Sequence, residues 1–144
     1  MIGRLICNRA SASTRNYANR IRSRPASSTT KRIGVDDPRM SRIVVNNDVV
    51  YISGQTDATG ENIKDQTKNV LAKVDSLLME AGTDKSKLLT SSIWLKDIER
   101  DFKGMNSIWN EWLDPDNKPV RATVEANMAR PVLLIEVQVT AAIA

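Results

Sequence analysis

The sequence predicts a single α+β domain in which two helices cover one face of a sheet, with elements in the order β-β-α-β-α-β-β. Three observations carry this. Five short runs are rich in β-branched or alternating apolar residues and are bounded by turn formers. Two longer stretches repeat apolar residues at helical spacing. The 144 residues, 41% hydrophobic and 26% charged, suit one ordinary core, and no repeat or linker interrupts them beyond residue 33.

The first two runs, 41–46 (SRIVVN) and 49–53 (VVYIS), flank Asn47-Asp48 and read as a hairpin. Val49, Val50, Tyr51 and Ile52 are consecutive, so this strand is expected to be covered on both faces. After a turn-rich stretch, 55–62, the residues Ile63, Val70, Leu71, Val74, Leu77, Leu78 and Ala81 follow one helical face, and Gly82 is placed to end that helix. Residues 88–95 (LLTSSIWL) suit a strand. A second helix is expected over 98–113, buried along Phe102, Met105, Trp109 and Trp112. Asp114-Pro115-Asp116-Asn117 stops it, since proline cannot continue a helix and the Asx residues favour turns. Strands at 120–126 and 133–141 complete the domain. Two helices cover only one face of such a sheet. The apolar strand therefore needs a second cover, for which a neighbouring subunit is the economical source; the alternative is a monomer with a partly exposed apolar face.

Composition narrows the chemistry. There is no histidine, which removes Ser-His-Asp and Cys-His nucleophile systems and every His-ligated metal. The single Cys7 removes internal disulfides, CxxC redox pairs and cysteine zinc clusters. No phosphate-cradling glycine motif and no calcium loop is present. No apolar run approaches the roughly 18 residues of a membrane span, and no membrane partner is expected. Catalysis is left to carboxylates, Arg, Lys, hydroxyls, backbone groups and water, with no cofactor and no metal.

The net charge of +4 conceals two opposite segments. Residues 1–34 hold eight basic residues (Arg4, Arg9, Arg15, Arg20, Arg22, Arg24, Lys31, Arg32) and no acid, whereas residues 35–144 hold 13 basic against 17 acidic groups. An Arg-, Ser- and Thr-rich, acid-free leader has the composition of an organelle transit peptide. Residues 1–32 are expected to be such a segment, disordered, and residues 33–144 the domain. Arg15-Asn16-Tyr17-Ala18 resembles a mitochondrial processing site, which places the protein in the mitochondrial matrix, with the plastid as alternative. A disordered basic arm and a nucleic-acid-binding tail are the other readings of this composition, but the acidic body gives a nucleic acid no basic surface to adjoin. Cys7 would leave with the leader.

One pair of charges stands out. In 120–126, Arg121, Thr123 and Glu125 share a face; in the final strand, Glu136, Gln138 and Thr140 share the face opposite Leu133, Ile135, Val137 and Val139. A tight hairpin turning near Met128-Ala129 sets Arg121 opposite Glu136. That pair is either a cross-strand ion pair or a site, with a planar guanidinium fork for a substrate carboxylate and a carboxylate that holds or activates water. Ser53-Gly54-Gln55, directly after a strand, either turns the chain or lines a pocket. Asn106 is a helix-packing polar residue or a ligand contact. Trp94, Trp109 and Trp112 are expected in the core.

Several segments together resemble the RidA (YjgF-like) family. They are Val50-Tyr51-Ile52-Ser53-Gly54-Gln55, the helix beginning near Asn62, Thr90-Ser91-Ser92-Ile93-Trp94-Leu95-Lys96-Asp97, Asp101-Phe102-Lys103-Gly104-Met105-Asn106, Pro119-Val120-Arg121 and Ile135-Glu136-Val137. The match spans nearly all of residues 40 to 142 in order. It implies a chorismate-mutase-like mixed sheet and a homotrimer with three pockets, each between adjacent subunits. It also implies an activity, hydrolysis of reactive 2-imino and enamine acids to 2-keto acids and ammonia. Arg121 matches the arginine that grips the substrate carboxylate, Glu136 the glutamate associated with the hydrolytic water, and Ser53, Gly54 and Asn106 pocket residues. Thr123 stands where the family often has cysteine and is counted with the substrate-binding residues. The Gly-Pro-Tyr segment of well-studied members is replaced by Asp37-Pro38-Arg39-Met40-Ser41, without tyrosine, which marks a divergent branch. Two alternatives use the same chain: a trimer that binds or senses 2-keto acids without turnover, and a protein acting on RNA, since endoribonuclease activity is also associated with the family.

Overall fold

The structure is a computed structural model that describes residues 29–143. Its elements are β1 (Thr30–Ile33), β2 (Ile43–Asn46), β3 (Val49–Thr56), α1 (Ile63–Glu80), a 3-10 turn (Lys85–Lys87), β4 (Leu88–Leu95), α2 (Ile98–Trp112), β5 (Val120–Glu125) and β6 (Ile135–Ala142). The six strands form one mixed sheet in the order β1-β2-β3-β6-β4-β5. The expected β-β-α-β-α-β-β order is present with one strand added in front. β1 pairs antiparallel with β2 and takes Thr30, Lys31 and Arg32 into the sheet, so the fold reaches past the boundary expected at residue 33. The rest of the leader, with Cys7 and the Arg15-Asn16-Tyr17-Ala18 site, lies outside the described residues.

Local chemistry explains the helix ends. Asn62 caps α1, its side chain accepting from the backbone N–H groups of Lys64 and Asp65. At the other end Gly82 takes a φ of 83°, and the N–H groups of Gly82 and Thr83 return to the carbonyls of Met79 and Leu78. This double closure needs a left-handed residue, which glycine adopts without a Cβ penalty. Asp97 caps α2 by accepting from Arg100 N–H.

Both helices lie on one face of the sheet, α1 across β3 and β6 and α2 against β4. The core between them is built from Ile43, Val50, Ile52, Val70, Leu71, Val74, Leu78, Ile93, Leu95, Met105, Trp109 and the β6 series Ile135, Val137, Val139 and Ala141. The α1 stripe is as expected. The α2 stripe is rotated: Phe102 is 42% exposed, while Met105, Ile108 and Trp109 are buried together with Asp101. Asp101 is tolerated there because the Arg100 guanidinium binds it through Nε and a terminal nitrogen, at 2.9 and 2.6 Å. Of the three tryptophans expected in the core, only Trp109 is buried. Trp94 and Trp112 are half-buried, and the Trp112 indole donates to Asp75 at 2.8 Å.

The principal correction concerns the last two strands. They form no hairpin. β6 lies between β3 and β4, antiparallel to both, and β5 is an edge strand parallel to β4. The nine residues between β5 and β6 carry the chain past β4. The physical reason is burial. Ile135, Val137, Val139 and Ala141 are at most 1% exposed and belong in the middle of the sheet, whereas β5 carries Arg121 and Glu125 and tolerates an edge. The face of the sheet away from the helices has no cover from the described residues; Val120 is 71%, Val124 49% and Tyr51 46% exposed on it. Among the described residues no helix is long and apolar enough to cross a membrane.

Candidate active site

The predicted site residues fall into two groups. Arg121 pairs in register with Ser91, and Thr123 with Ile93, so both point to the helix side. There Asn106 of α2 accepts from an Arg121 terminal nitrogen at 2.8 Å, and the guanidinium carbon lies 5.3 Å from the Trp109 ring centroid. That contact is a cation–π geometry which also fixes the plane of the fork. No carboxylate among the described residues pairs with Arg121. Partial burial pushes its pKa down from the usual value, yet a guanidinium stays charged at neutral pH. The hydroxyl oxygens of Thr123 and Ser91 are buried beside it without a hydrogen-bond partner among the described residues.

Glu136 belongs to the second group. It pairs in register with Trp94 on one side and Thr56 on the other, on the face away from the helices. Between Ile52 and Gln55 the β3–β6 ladder shifts register, so Ser53 and Gly54 form a bulge. A Cβ built on Gly54 would overlap Glu136 Oε1, so the carboxylate rests against the glycine backbone, and only glycine permits the approach. The Ser53 hydroxyl accepts from Gln55 Nε2 at 3.1 Å. A pocket of about 250 Å³ is lined by Trp94, Ala126, Asn127, Met128 and Glu136. The Glu136 carboxylate forms no hydrogen bond or ion pair with any described residue.

Arg121 and Glu136 therefore do not meet within one chain. β4 separates their strands, their levels along the sheet differ by three residues, and their side chains leave opposite faces. The offset is about 10 Å across the sheet and about 10 Å along it. The ion-pair reading falls with the hairpin that suggested it. What remains is an open cation supported by Asn106 and Trp109, and an open carboxylate seated on Gly54 beside an indole. Trp109, Trp94, Met128 and Asn127 were not predicted as site residues. For Trp94 a signal existed, because its place in a strand alternating with Ile93 and Leu95 turns it away from the core; nothing local marked Met128 or Asn127.

Comparison with known proteins places this geometry. The sequence profile of the family described as Endoribonuclease L-PSP matches residues 35–143. The chain belongs to the YjgF/RidA family. A RutC family protein of Haemophilus influenzae is 37% identical over 115 residues, covering 78% of this chain and 97% of the relative. The RutC family protein YoaB of Escherichia coli is 34% identical over 107 residues, covering 74% and 93%. The crystal structure of NMB1025, a YjgF family member from Neisseria meningitidis, superposes with a TM-score of 0.78 at 36% identity, covering 81% of this chain and 97% of that one. The two helices and six-stranded mixed sheet are thus those of the YjgF/RidA family.

Proposed function

We propose that this YjgF/RidA protein hydrolyses reactive 2-imino acids to 2-keto acids and ammonia, in pockets completed between adjacent copies of a homotrimer. The observation that carries the proposal is the Arg121 guanidinium, braced by Asn106 and Trp109 and left without an anion among the described residues. An unpaired cation and an unpaired carboxylate complement a substrate that carries both charges, and a 2-iminium acid does. The uncovered sheet face, with Val120, Val124 and Tyr51 exposed, supports a subunit contact that would bring the Arg121 edge of one copy to the Glu136 pocket of the next.

In such a pocket Arg121 binds the substrate carboxylate through two parallel N–H donors and fixes the orientation of the C=N bond. Glu136 takes a proton from a water as its oxygen bonds to the iminium carbon. Glu136 returns that proton to the amine of the tetrahedral adduct, the C–N bond breaks as the C=O bond forms, and the hydroxyl proton passes through Glu136 to the departing nitrogen, which leaves as ammonium. The sum is one iminium acid and one water giving one keto acid and one ammonium. An iminium carbon is already electrophilic, so positioning and a general base worth about 10²–10⁴-fold meet the need. The acid-free, Arg-rich leader supports import into the mitochondrial matrix, with the plastid as alternative.

The test follows 2-ketobutyrate release from freshly generated 2-iminobutyrate. The wild type is expected to accelerate it, and Arg121→Ala to lose about 10²–10³-fold in kcat/KM with the oligomer intact. Saturable 2-keto acid binding without turnover would turn the reading to a sensor, and an unimpaired Arg121→Ala would overturn it.

A further inference from the structure

We infer that the Glu136 pocket sorts substrates by side chain, favouring 2-imino acids with a large apolar or aromatic group, and that Trp94 and Met128 perform the selection. This rests on the imine-hydrolysis reading above. Glu136 is hemmed in on one side: Gly54 leaves no room between its backbone and the carboxylate. Gly54 is not among the walls of the space of about 250 Å³, which are Glu136, Trp94, Ala126, Asn127 and Met128. A substrate whose reacting carbon sits at Glu136 therefore extends its side chain along the indole toward the β5–β6 connection. Trp94 stands between its register partners, Glu136 on β6 and Val124 on β5, and forms one wall of the pocket. Met128, in the connecting loop, adds a polarisable thioether that adapts to differing ring shapes. An indole left half-buried beside the exposed Val124, against a carboxylate without a partner among the described residues, fits an apolar group arriving from outside the chain. A one- or two-carbon side chain would leave most of this space to water.

The experiment compares 2-imino acids generated in situ from phenylalanine, leucine and alanine by an amino acid oxidase, and measures in parallel the binding of the matching 2-keto acids by isothermal titration calorimetry. The wild type is expected to favour the phenylalanine and leucine derivatives over the alanine derivative by at least about tenfold in kcat/KM, with the keto acids ranked alike in affinity. Trp94→Ala and Met128→Ala should each shrink that ratio, while Trp94→Phe should keep it. A wild-type ratio near one, or a preference surviving both alanine substitutions, would overturn the inference. Ranked keto acid affinities that collapse in Trp94→Ala, without turnover of any imine, would sustain the pocket assignment and remove only the reaction. Because Met128 sits in a loop, its variant keeps the test decisive if Trp94→Ala fails to fold.

Discussion

Asp57 and Arg121 are both charged groups drawn partly out of water, and the fold treats them in opposite ways. Asp57, 4% exposed, receives the backbone N–H groups of Thr59 and Gly60, the Thr59 hydroxyl and the Asn69 amide, and Lys73 stands 3.4 Å away. Burial alone would raise its pKa, but the hydrogen bonds from Asn69, Gly60 and Thr59 outweigh it and hold the carboxyl well below the usual carboxylate range. Arg121 receives one acceptor and one ring face, and the Glu136 carboxylate receives no hydrogen bond from the described residues. The difference separates two uses of charge. A buried ion whose hydrogen-bonding capacity is filled from within the chain pins loops and helices together. One left open awaits a partner from outside it.

Substitutions test that division. The largest effect is expected at Glu136: Glu136→Gln removes the base without changing shape and should lower kcat for imine hydrolysis by about 10²–10⁴-fold. Its unfolding free energy should stay within about 0.5 kcal/mol of wild type, since no internal contact is lost. Next, Gly54→Ala forces the carboxylate off its seat and should cost about 10²-fold in kcat, again with little change in denaturant midpoint. Asp57→Asn should do the reverse. Activity per folded molecule is expected to be unchanged, while stability by urea titration falls by about 1–3 kcal/mol.

The pH dependence of stability carries the same signature. The folded pKa of Asp57 is depressed, so its contribution is complete above the unfolded value near about 3.9 and is lost as pH falls below it. Asp57→Asn should flatten that acid limb. An acid limb unchanged in Asp57→Asn would break the comparison.

Much of this was legible in the sequence, for definite reasons. The hairpin at Asn47-Asp48, helix α1 and the inward series Leu133, Ile135, Val137 and Val139 are encoded by local periodicity, which depends only on neighbours along the chain. The neighbour of β5 is not encoded locally. Alternation assigns each strand its faces, but any strand with the right faces satisfies it, and only the demand that β6 be buried between two partners places β4 beside β5. The same holds at α2, where a charged Asp101 occupies a core position because Arg100 pairs with it and Phe102 turns outward. Arg121, Asn106 and Thr123 were identified as site residues and do gather, as do Ser53, Gly54 and Glu136. Their separation into two groups depended on strand order, and no motif announces strand order.

The most direct test of a site shared between subunits is complementation by mixing. Arg121→Ala and Glu136→Gln chains, each inactive alone, would be unfolded together in equal amounts, refolded, and assayed for 2-keto acid release. A shared pocket needs Arg121 from one chain and Glu136 from its neighbour, so random assembly restores about a quarter of wild-type activity per pocket. Activity no higher than that of either variant refolded alone, in a mixture shown to contain hetero-oligomers, would contradict the shared site.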